Sequence, residues 1–168
     1  MSQAYRKRVS FASLDREKGL WELPAPAGEE YPLPAWYRAV YNTPLDELGV
    51  EDICKACRQQ IHLEQTVPMA VDLLRADPLA GEMFDGELLV AMKSVPHDYW
   101  VRNEAQLQAM KSVAESALRQ EAITPDVRED AQDLLKKWSV NGIIKNSLRR
   151  CPEPFCSGGF RPKKALYV

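Results

Sequence analysis

The sequence predicts an all-α protein, a mostly helical single domain. Apolar residues recur at intervals of three and four positions from residue 50 onward, which places them along one face of successive helices. Proline and glycine interrupt this pattern at short intervals, where helices end and turns begin. A chain of 168 residues with 45% hydrophobic content is long enough to form one domain with a buried core.

Residues 1–34 are predicted to form an extended N-terminal segment. Partial alternation of apolar and polar residues over positions 5–14 indicates a short strand, which could pair with residues 20–23 as a hairpin. Four prolines and Gly28 follow, and they favour an extended chain. Helical spacing begins at residue 35, and residues 35–42 predict a short helix whose apolar side carries Trp36, Val40 and Tyr41.

Residues 35–142 are predicted to form a helical core domain. The first clear apolar stripe consists of Val50, Ile53, Cys54, Cys57 and Ile61. The second stripe consists of Val67, Ala70, Val71 and Leu74. For that second helix, Thr66 is the predicted N-cap and Pro68 falls in the first turn, where proline is tolerated. Residues 88–95 predict a third helix of this domain, which ends at Pro96.

Two more helices complete the predicted domain. The first carries Leu107, Met110, Ala114, Ala117 and Leu118. The second carries Val127, Ala131, Leu134, Leu135 and Trp138. Thr124-Pro125 is a strong start signal for it, and Asn141-Gly142 is a good stop signal. Residues 143–168 then form a basic tail that contains proline and glycine.

One acidic stretch, DPLAGEMFDGELL (residues 77–89), carries four acids and no base. Asp77-Pro78 predicts a helix end followed by a turn. Asp85 precedes the next helix, where its carboxylate would act as N-cap, and Glu87 would lie at the positive end of the helix dipole. A calcium loop is a poor match, because Pro, Leu and Ala follow Asp77 where oxygen ligands are required.

The formal net charge of −2 conceals a segregation of charge along the chain. Residues 44–90 hold ten acids and three bases, a net charge of −7. Residues 136–168 hold eight bases and one acid, a net charge of +7. Such a division bears on partners more than on fold. The acidic block suits a cationic partner, whereas the basic tail could touch nucleic acid or be a solvated end.

The four cysteines form two closely spaced pairs, which together could supply four thiolate ligands to zinc. Cys54 and Cys57, however, fit an apolar helical stripe, where cysteine behaves as a small hydrophobic residue. We therefore predict no metal site and no cofactor. Cys151 and Cys156 remain the weak candidates for metal binding.

The sequence supplies few groups for catalysis. It has two histidines, His62 and His97, and nothing in their spacing places a nucleophile or an oxyanion site beside either one. A phosphate-binding glycine loop, a nucleophile elbow and a paired zinc-histidine motif are all missing from the sequence. We therefore predict that the protein is not an enzyme.

The predicted location is the cytoplasm. No apolar run in the sequence approaches the roughly 18 residues that a membrane span requires. The basic start of the chain is not followed by the apolar region of a secretory signal.

A set of helix and turn residues resembles the helical immunity proteins of bacterial contact-dependent growth inhibition and related polymorphic toxin systems. The residues that carry this resemblance are Pro44-Leu45, Asp52-Ile53, Gln59-Gln60, Pro68, Ala70, Leu74, Asp77-Pro78-Leu79, Phe84, Gly86-Glu87-Leu88-Leu89 and Trp100. They span roughly residues 44–100, about a third of the chain. The resemblance implies a protein that catalyses no reaction and neutralises one cognate toxin in the bacterial cytosol.

The toxins of such systems vary, so the resemblance assigns no contact residue, and charge must select the candidates instead. An acidic face would suit a basic toxin, such as a nuclease, by mimicking the nucleic-acid backbone. The candidate toxin-binding residues are Asp72, Asp77, Glu82, Asp85, Tyr99 and Trp100. The alternative hypothesis is a nucleic-acid-binding or regulatory protein that uses the basic tail. The sequence does not predict an oligomeric state.

Overall fold

The computed structural model describes residues 8–19 and 31–139, which form eight α-helices and no strand. The helices are α1 (Phe11–Glu17), α2 (Pro32–Val40), α3 (Val50–Arg58), α4 (Leu63–Ala76), α5 (Glu87–Ala91), α6 (His97–Arg102), α7 (Glu104–Leu118) and α8 (Pro125–Lys137). Single 3-10 turns cover Leu45–Glu47 and Met92–Ser94. The prediction of an all-α fold is confirmed.

The main core lies among helices α3 to α8. Helix α3 packs against α4 and α5, α4 packs against α7, and α7 packs against α8. The two largest fully buried side chains, Trp100 and Trp138, meet edge to face with ring centroids 5.1 Å apart. Complete burial of a large apolar side chain stabilises the fold by roughly 1.5–3 kcal/mol. The apolar stripes predicted for α3, α4, α7 and α8 supply most of this core.

The first described helix overturns the prediction of a strand over residues 5–14. Ser10 begins α1 with a reciprocal capping box: its hydroxyl accepts from the Ser13 N–H at 3.3 Å, and the Ser13 hydroxyl accepts from the Ser10 N–H at 2.9 Å. Phe11 and Leu14 are buried at helical spacing. Residues 20–23, the other half of the predicted hairpin, lie outside the described residues.

Helix α1 shares a second hydrophobic cluster with the helices that follow. The cluster consists of Phe11, Ala12, Leu14, Tyr41, Leu45 and Ala56. Two backbone hydrogen bonds reinforce it, because the Ala12 N–H donates to the Tyr41 carbonyl at 2.9 Å and the Leu45 N–H donates to the Val9 carbonyl at 2.8 Å. Residues on both sides of the predicted boundary after residue 34 therefore meet in this cluster. Helix α2 itself begins at Pro32, ahead of that boundary.

Helix α4 begins earlier than the sequence predicts. Its N-cap is His62, which takes a left-handed conformation with φ of 44°, so Thr66 and Pro68 lie inside the helix. The buried Thr66 hydroxyl donates to the Ile61 carbonyl at 3.0 Å instead of capping an N–H group. The prediction of Thr66 as N-cap is therefore wrong. A left-handed histidine is a rare helix start, and no sequence rule anticipates it.

His62 also joins α4 to α1 through a partly buried polar cluster. Its Nε2 lies 2.8 Å from Asp15 Oδ1, its Nδ1 lies 3.1 Å from Lys18 Nζ, and its ring stacks on Phe11. The histidine side chain is 5% exposed. Burial lowers the pKa of His62 below 6.5 and Lys18 lowers it further, while Asp15 opposes the change. Neutral His62 can donate from Nε2 and accept at Nδ1, whereas the protonated ring would direct a second N–H at the Lys18 ammonium.

This arrangement predicts that α1 packs less stably in mild acid. A histidine with a lowered folded-state pKa contributes stability that is complete above its ordinary pKa and is lost as pH falls below about 6.5. We expect the free energy of unfolding to fall between about pH 7.5 and pH 5.5 by more in the wild type than in His62→Asn. Asparagine tolerates the left-handed backbone, so the comparison isolates the ring. Urea titrations across this range measure it, and parallel pH profiles would contradict the prediction.

Within residues 8–19 and 31–139, none of the helices has the length and apolar character needed to cross a membrane.

Candidate protein-binding surface

The chain between α4 and α5, residues 77–86, forms a compact loop closed by its own backbone. Asp77 Oδ1 accepts from the Leu79 N–H at 3.0 Å, which confirms the turn predicted at Asp77-Pro78. The Gly86 N–H donates to the Leu79 carbonyl at 2.7 Å, and the Leu88 N–H donates to the Ala80 carbonyl at 3.1 Å. These bonds fix both ends of the loop against each other.

Glu87 holds the centre of this loop. Its Oε2 accepts from the Met83 N–H at 3.1 Å and from the Glu82 N–H at 3.4 Å. Its Oε1 lies 3.0 Å from the guanidinium of Arg58 on α3, and the Glu87 side chain is 3% exposed. Burial alone would raise the pKa of Glu87, but the Met83 N–H, Arg58 and the Glu82 N–H together lower it below its ordinary value. The carboxylate therefore stays ionised and binds the loop to α3.

Two glycines allow the close packing of the loop. A Cβ on Gly81 would lie 2.0 Å from the Phe84 carbonyl oxygen, and a Cβ on Gly86 would lie 2.5 Å from Val127 Cγ1 on α8. Gly86 has φ of 86° and is the N-cap of α5, without a side-chain hydrogen bond. The prediction of Asp85 as N-cap is therefore wrong, because the glycine takes that place. The Asp85 side chain lies on the exposed part of the loop.

The four acidic candidates are exposed but differ in what holds them. Asp72 lies on α4, where it is 75% exposed and 3.3 Å from Arg75. Asp77 is occupied in the turn. Glu82 Oε1 accepts from the Glu51 N–H at 3.3 Å, in the first turn of α3. Of the loop acids, Asp85 therefore has the least evident part in the fold.

The two aromatic candidates are buried, and their assignment as toxin-binding residues stays a prediction. Tyr99 is 2% exposed and Trp100 is 1% exposed, and both belong to the main core. They are adjacent residues of the short helix α6, and the other helices of the bundle enclose both side chains. Both side chains are therefore enclosed by the described fold.

Sequence reasoning missed the apolar part of this surface. Met83 and Phe84, at the tip of the loop, are 75% and 47% exposed. The available signal was a Met-Phe pair between Glu82 and Asp85, at a place where no helical stripe requires apolar residues. Exposed neighbouring apolar side chains with a polar rim are typical of protein interaction sites.

Helix α8 extends this surface on the far side of Phe84. A cleft of about 430 Å³ lies between the loop and α8, with apolar walls formed by Phe84, Val90 and Val127 and a rim that includes Asp85, Asp126 and Asp130. Thr124 caps the helix there, because its hydroxyl accepts from the Val127 N–H at 3.4 Å. The cleft is hereafter called the loop–α8 cleft.

The residues considered for metal binding and catalysis lie elsewhere. Cys54 and Cys57 are buried free thiols, and burial raises the pKa of each to about 12, as their place in the α3 stripe predicted. Among the described residues no three potential ligands gather around a point that could hold a metal ion. Cys151 and Cys156 lie outside the described residues, so the metal prediction stays a prediction. His62 belongs to the cluster with Asp15 and Lys18.

Loss of the Glu87 charge should loosen this loop. We expect Glu87→Gln to lower the free energy of unfolding at neutral pH by roughly 2–4 kcal/mol. This loss is smaller than that expected for a fully buried ion pair, because Arg58 is 36% exposed. The difference from wild type should shrink as pH falls below the ordinary value of 4.5, since the stability from a lowered carboxyl pKa is complete above the ordinary pKa and is lost as pH falls through the lower pKa of the folded state. Glu51→Gln, in a half-exposed pair with Lys55 on the same helix, is the matched control, with less than about 0.5 kcal/mol expected. Equal losses in the two variants would contradict the assigned role of Glu87.

Glu82 should matter to stability and Asp72 should not. Glu82→Gln weakens a charged hydrogen bond to the start of α3 and should cost roughly 0.5–1 kcal/mol, whereas Asp72→Asn should cost less than about 0.5 kcal/mol. Chemical denaturation of the two variants checks this order. A larger loss in Asp72→Asn would reverse it.

Part of this surface lies in a range of residues that matches a known protein family. The chain matches the family model of the CDI immunity proteins over residues 20–110, more than half of its length. The matched range includes the loop, its Glu87 anchor and Arg58, and it ends before α8. No curated protein matches the chain. The match extends beyond both ends of the 44–100 resemblance, and the chain belongs to the family of CDI immunity proteins.

Proposed function

We propose that this immunity protein neutralises its cognate toxin by binding it directly through the loop at residues 77–86 and the adjacent start of α8. Neutralisation of a toxin is the role of the family, and the further step is the choice of surface and partner. The observation that carries this choice is the exposure of Met83 and Phe84, at 75% and 47%, on a loop that Glu87 fixes from within.

A few residues near the centre of an interface contribute most of the affinity between two proteins. Met83 and Phe84 are adjacent in the chain and project from a backbone that is closed by hydrogen bonds at both ends. A surface already held in its binding conformation loses little entropy on association, so more of the contact energy appears as affinity. These two side chains are therefore the proposed centre of the interface.

The charge around these anchors supports a cationic toxin. Glu82 and Asp85 flank Met83 and Phe84 directly, and Asp126 lies across the cleft on α8. The block from residue 44 to residue 90 has a net charge of −7. An acidic face attracts a basic protein over long distances and raises the association rate. Nucleases carry basic surfaces because they bind phosphates, so a nuclease toxin is the proposed partner.

We also propose that the protein catalyses no reaction and acts in the cytoplasm. Its described thiols, Cys54 and Cys57, are buried and have raised pKa values, which makes them poor nucleophiles. His62 is occupied between Asp15 and Lys18. A nuclease toxin would do its damage where cellular nucleic acid lies, so neutralisation belongs in the same compartment.

Removal of the apolar anchors tests the surface. The double substitution Met83→Ser/Phe84→Ser should weaken binding to the cognate toxin domain by about 100-fold, as expected for two central contacts. The matched control is Tyr31→Ser/Val101→Ser, which removes an exposed aromatic and an exposed aliphatic side chain elsewhere, at 81% and 49% exposure. The control should change affinity by less than about threefold. Calorimetry measures binding, and melting temperature checks the fold.

The outcomes separate the proposal from its alternative. Unchanged toxin affinity in folded Met83→Ser/Phe84→Ser would contradict the proposed surface. A toxin domain that degrades no nucleic acid would contradict the proposed nuclease. A wild-type protein that binds duplex DNA or RNA with a steep salt dependence, but no toxin, would favour the nucleic-acid hypothesis based on the basic tail.

A further inference from the structure

We propose that the loop–α8 cleft receives one long cationic side chain, an arginine or a lysine, from the toxin. The alkyl stem would lie along Phe84, Val90 and Val127, and the charge would meet Asp85 and Asp126. This inference rests on the proposed function and adds the chemistry of one contact to it. The family match ends before α8, so it assigns nothing to this side of the cleft.

The lining of the cleft combines the two properties that such a side chain requires. Phe84, Val90 and Val127 supply apolar surface, and the carboxylates lie at its rim. Arginine and lysine bury their methylene stems against apolar surface and keep the charged head in a polar environment. A purely apolar anchor would leave the carboxylates without a partner, and a small cation would leave the apolar walls uncovered.

The electrostatics favour a cation although a helix begins here. The N-terminus of α8 carries a partial positive charge, equivalent to roughly half an elementary charge, and by itself would attract an anion. Asp126 in the first turn of α8 and Asp85 on the loop place two full negative charges beside it. Asp130 already forms an ion pair with Lys93 and adds little to this balance. Two carboxylates against one partial positive charge therefore favour a cation over a carboxylate or phosphate at this place.

The same carboxylates do not form a metal site. Three acidic residues border the cleft, but no three potential ligands in the described part of the chain lie close enough together to coordinate one ion. A divalent metal needs several oxygen ligands at short distances. A guanidinium or an ammonium on a long stem needs only one or two carboxylates and tolerates their separation.

The cleft exists before any partner arrives. Gly86 packs against Val127 so closely that a Cβ at residue 86 would lie 2.5 Å from Val127 Cγ1, which sets the spacing between the loop and α8. Helix α5, which carries the Val90 wall, also packs against α8. Because Val90 and Val127 are held by the core, an entering side chain meets two preformed walls of the cleft.

Isosteric neutralisation of the two rim acids tests this contact. Asp85→Asn/Asp126→Asn should weaken toxin binding by about tenfold or more, because the cationic head would lose its charged partners. Asp133→Asn is the matched control, since Asp133 lies on the same helix, is paired with Lys136 and is absent from the cleft lining. The control should change affinity by less than about twofold. Melting temperatures confirm that the wild type and both variants are folded.

This experiment distinguishes failure of the contact from failure of the function. Unchanged affinity in Asp85→Asn/Asp126→Asn, with weakened binding in Met83→Ser/Phe84→Ser, would overturn the cationic anchor and leave the proposed surface intact. Weakened binding in the rim variant with unchanged binding in Asp133→Asn supports the anchor. A wild-type protein that binds no toxin would instead overturn the proposed function, and the anchor with it.

A toxin-free probe tests the cleft directly. In two-dimensional NMR titrations, N-acetyl-arginine methylamide or its lysine analogue should shift backbone amide signals of residues 84–90 and 124–130. The neutral isostere, N-acetyl-citrulline methylamide, should not, and Asp85→Asn/Asp126→Asn should abolish the shifts. The absence of shifts with both cationic probes would overturn the proposal, and so would equal shifts with citrulline.

Discussion

The buried carboxylate of Glu87 is the constraint on which the rest of the candidate surface depends. A charge that is 3% exposed persists only if hydrogen bonds and an opposite charge compensate for its lost hydration. The Met83 and Glu82 N–H groups and the Arg58 guanidinium supply that compensation, and in doing so they fix the loop tip to α3. Met83 and Phe84, at 75% and 47% exposure, lie on the loop tip that these contacts hold.

The acidic side chains in and next to the loop have different structural roles. Asp77 satisfies a backbone N–H in the turn, Glu87 organises the interior, and Glu82 reaches the start of α3. Asp85 is left at the surface beside Phe84, where a partner can use it. The net charge of −7 over residues 44–90 therefore describes long-range attraction only, and the position of each carboxylate decides which of them a partner can contact.

The sequence predicted the parts of this structure that depend on local periodicity. The buried faces of α3, α4, α7 and α8 follow from the spacing of their apolar residues, and Thr124-Pro125 correctly marks the start of α8. Local rules failed where a distant contact decides. The start of α4 depends on the left-handed His62. Tyr99 and Trp100 were candidates for contact with a partner, but packing against other helices buries both side chains. The loop–α8 cleft joins residues some 40 positions apart through the approach of Gly86 to Val127, which no short-range pattern encodes.

Recognition by such a surface would divide between two physical stages. Charge interactions are screened over about 8 Å at physiological ionic strength, so Asp85, Asp126 and the neighbouring acids would govern the encounter with the proposed cationic toxin and its dependence on salt. Apolar contacts act only at van der Waals range, so Met83 and Phe84 would govern how slowly the proposed complex separates. A side chain in the loop–α8 cleft would contribute to both stages, because its charge is steered by the rim and its stem is then buried. The rigid Glu87 anchor makes the combination effective, since the charged and apolar groups keep their relative positions through both stages and little ordering remains to oppose the final complex.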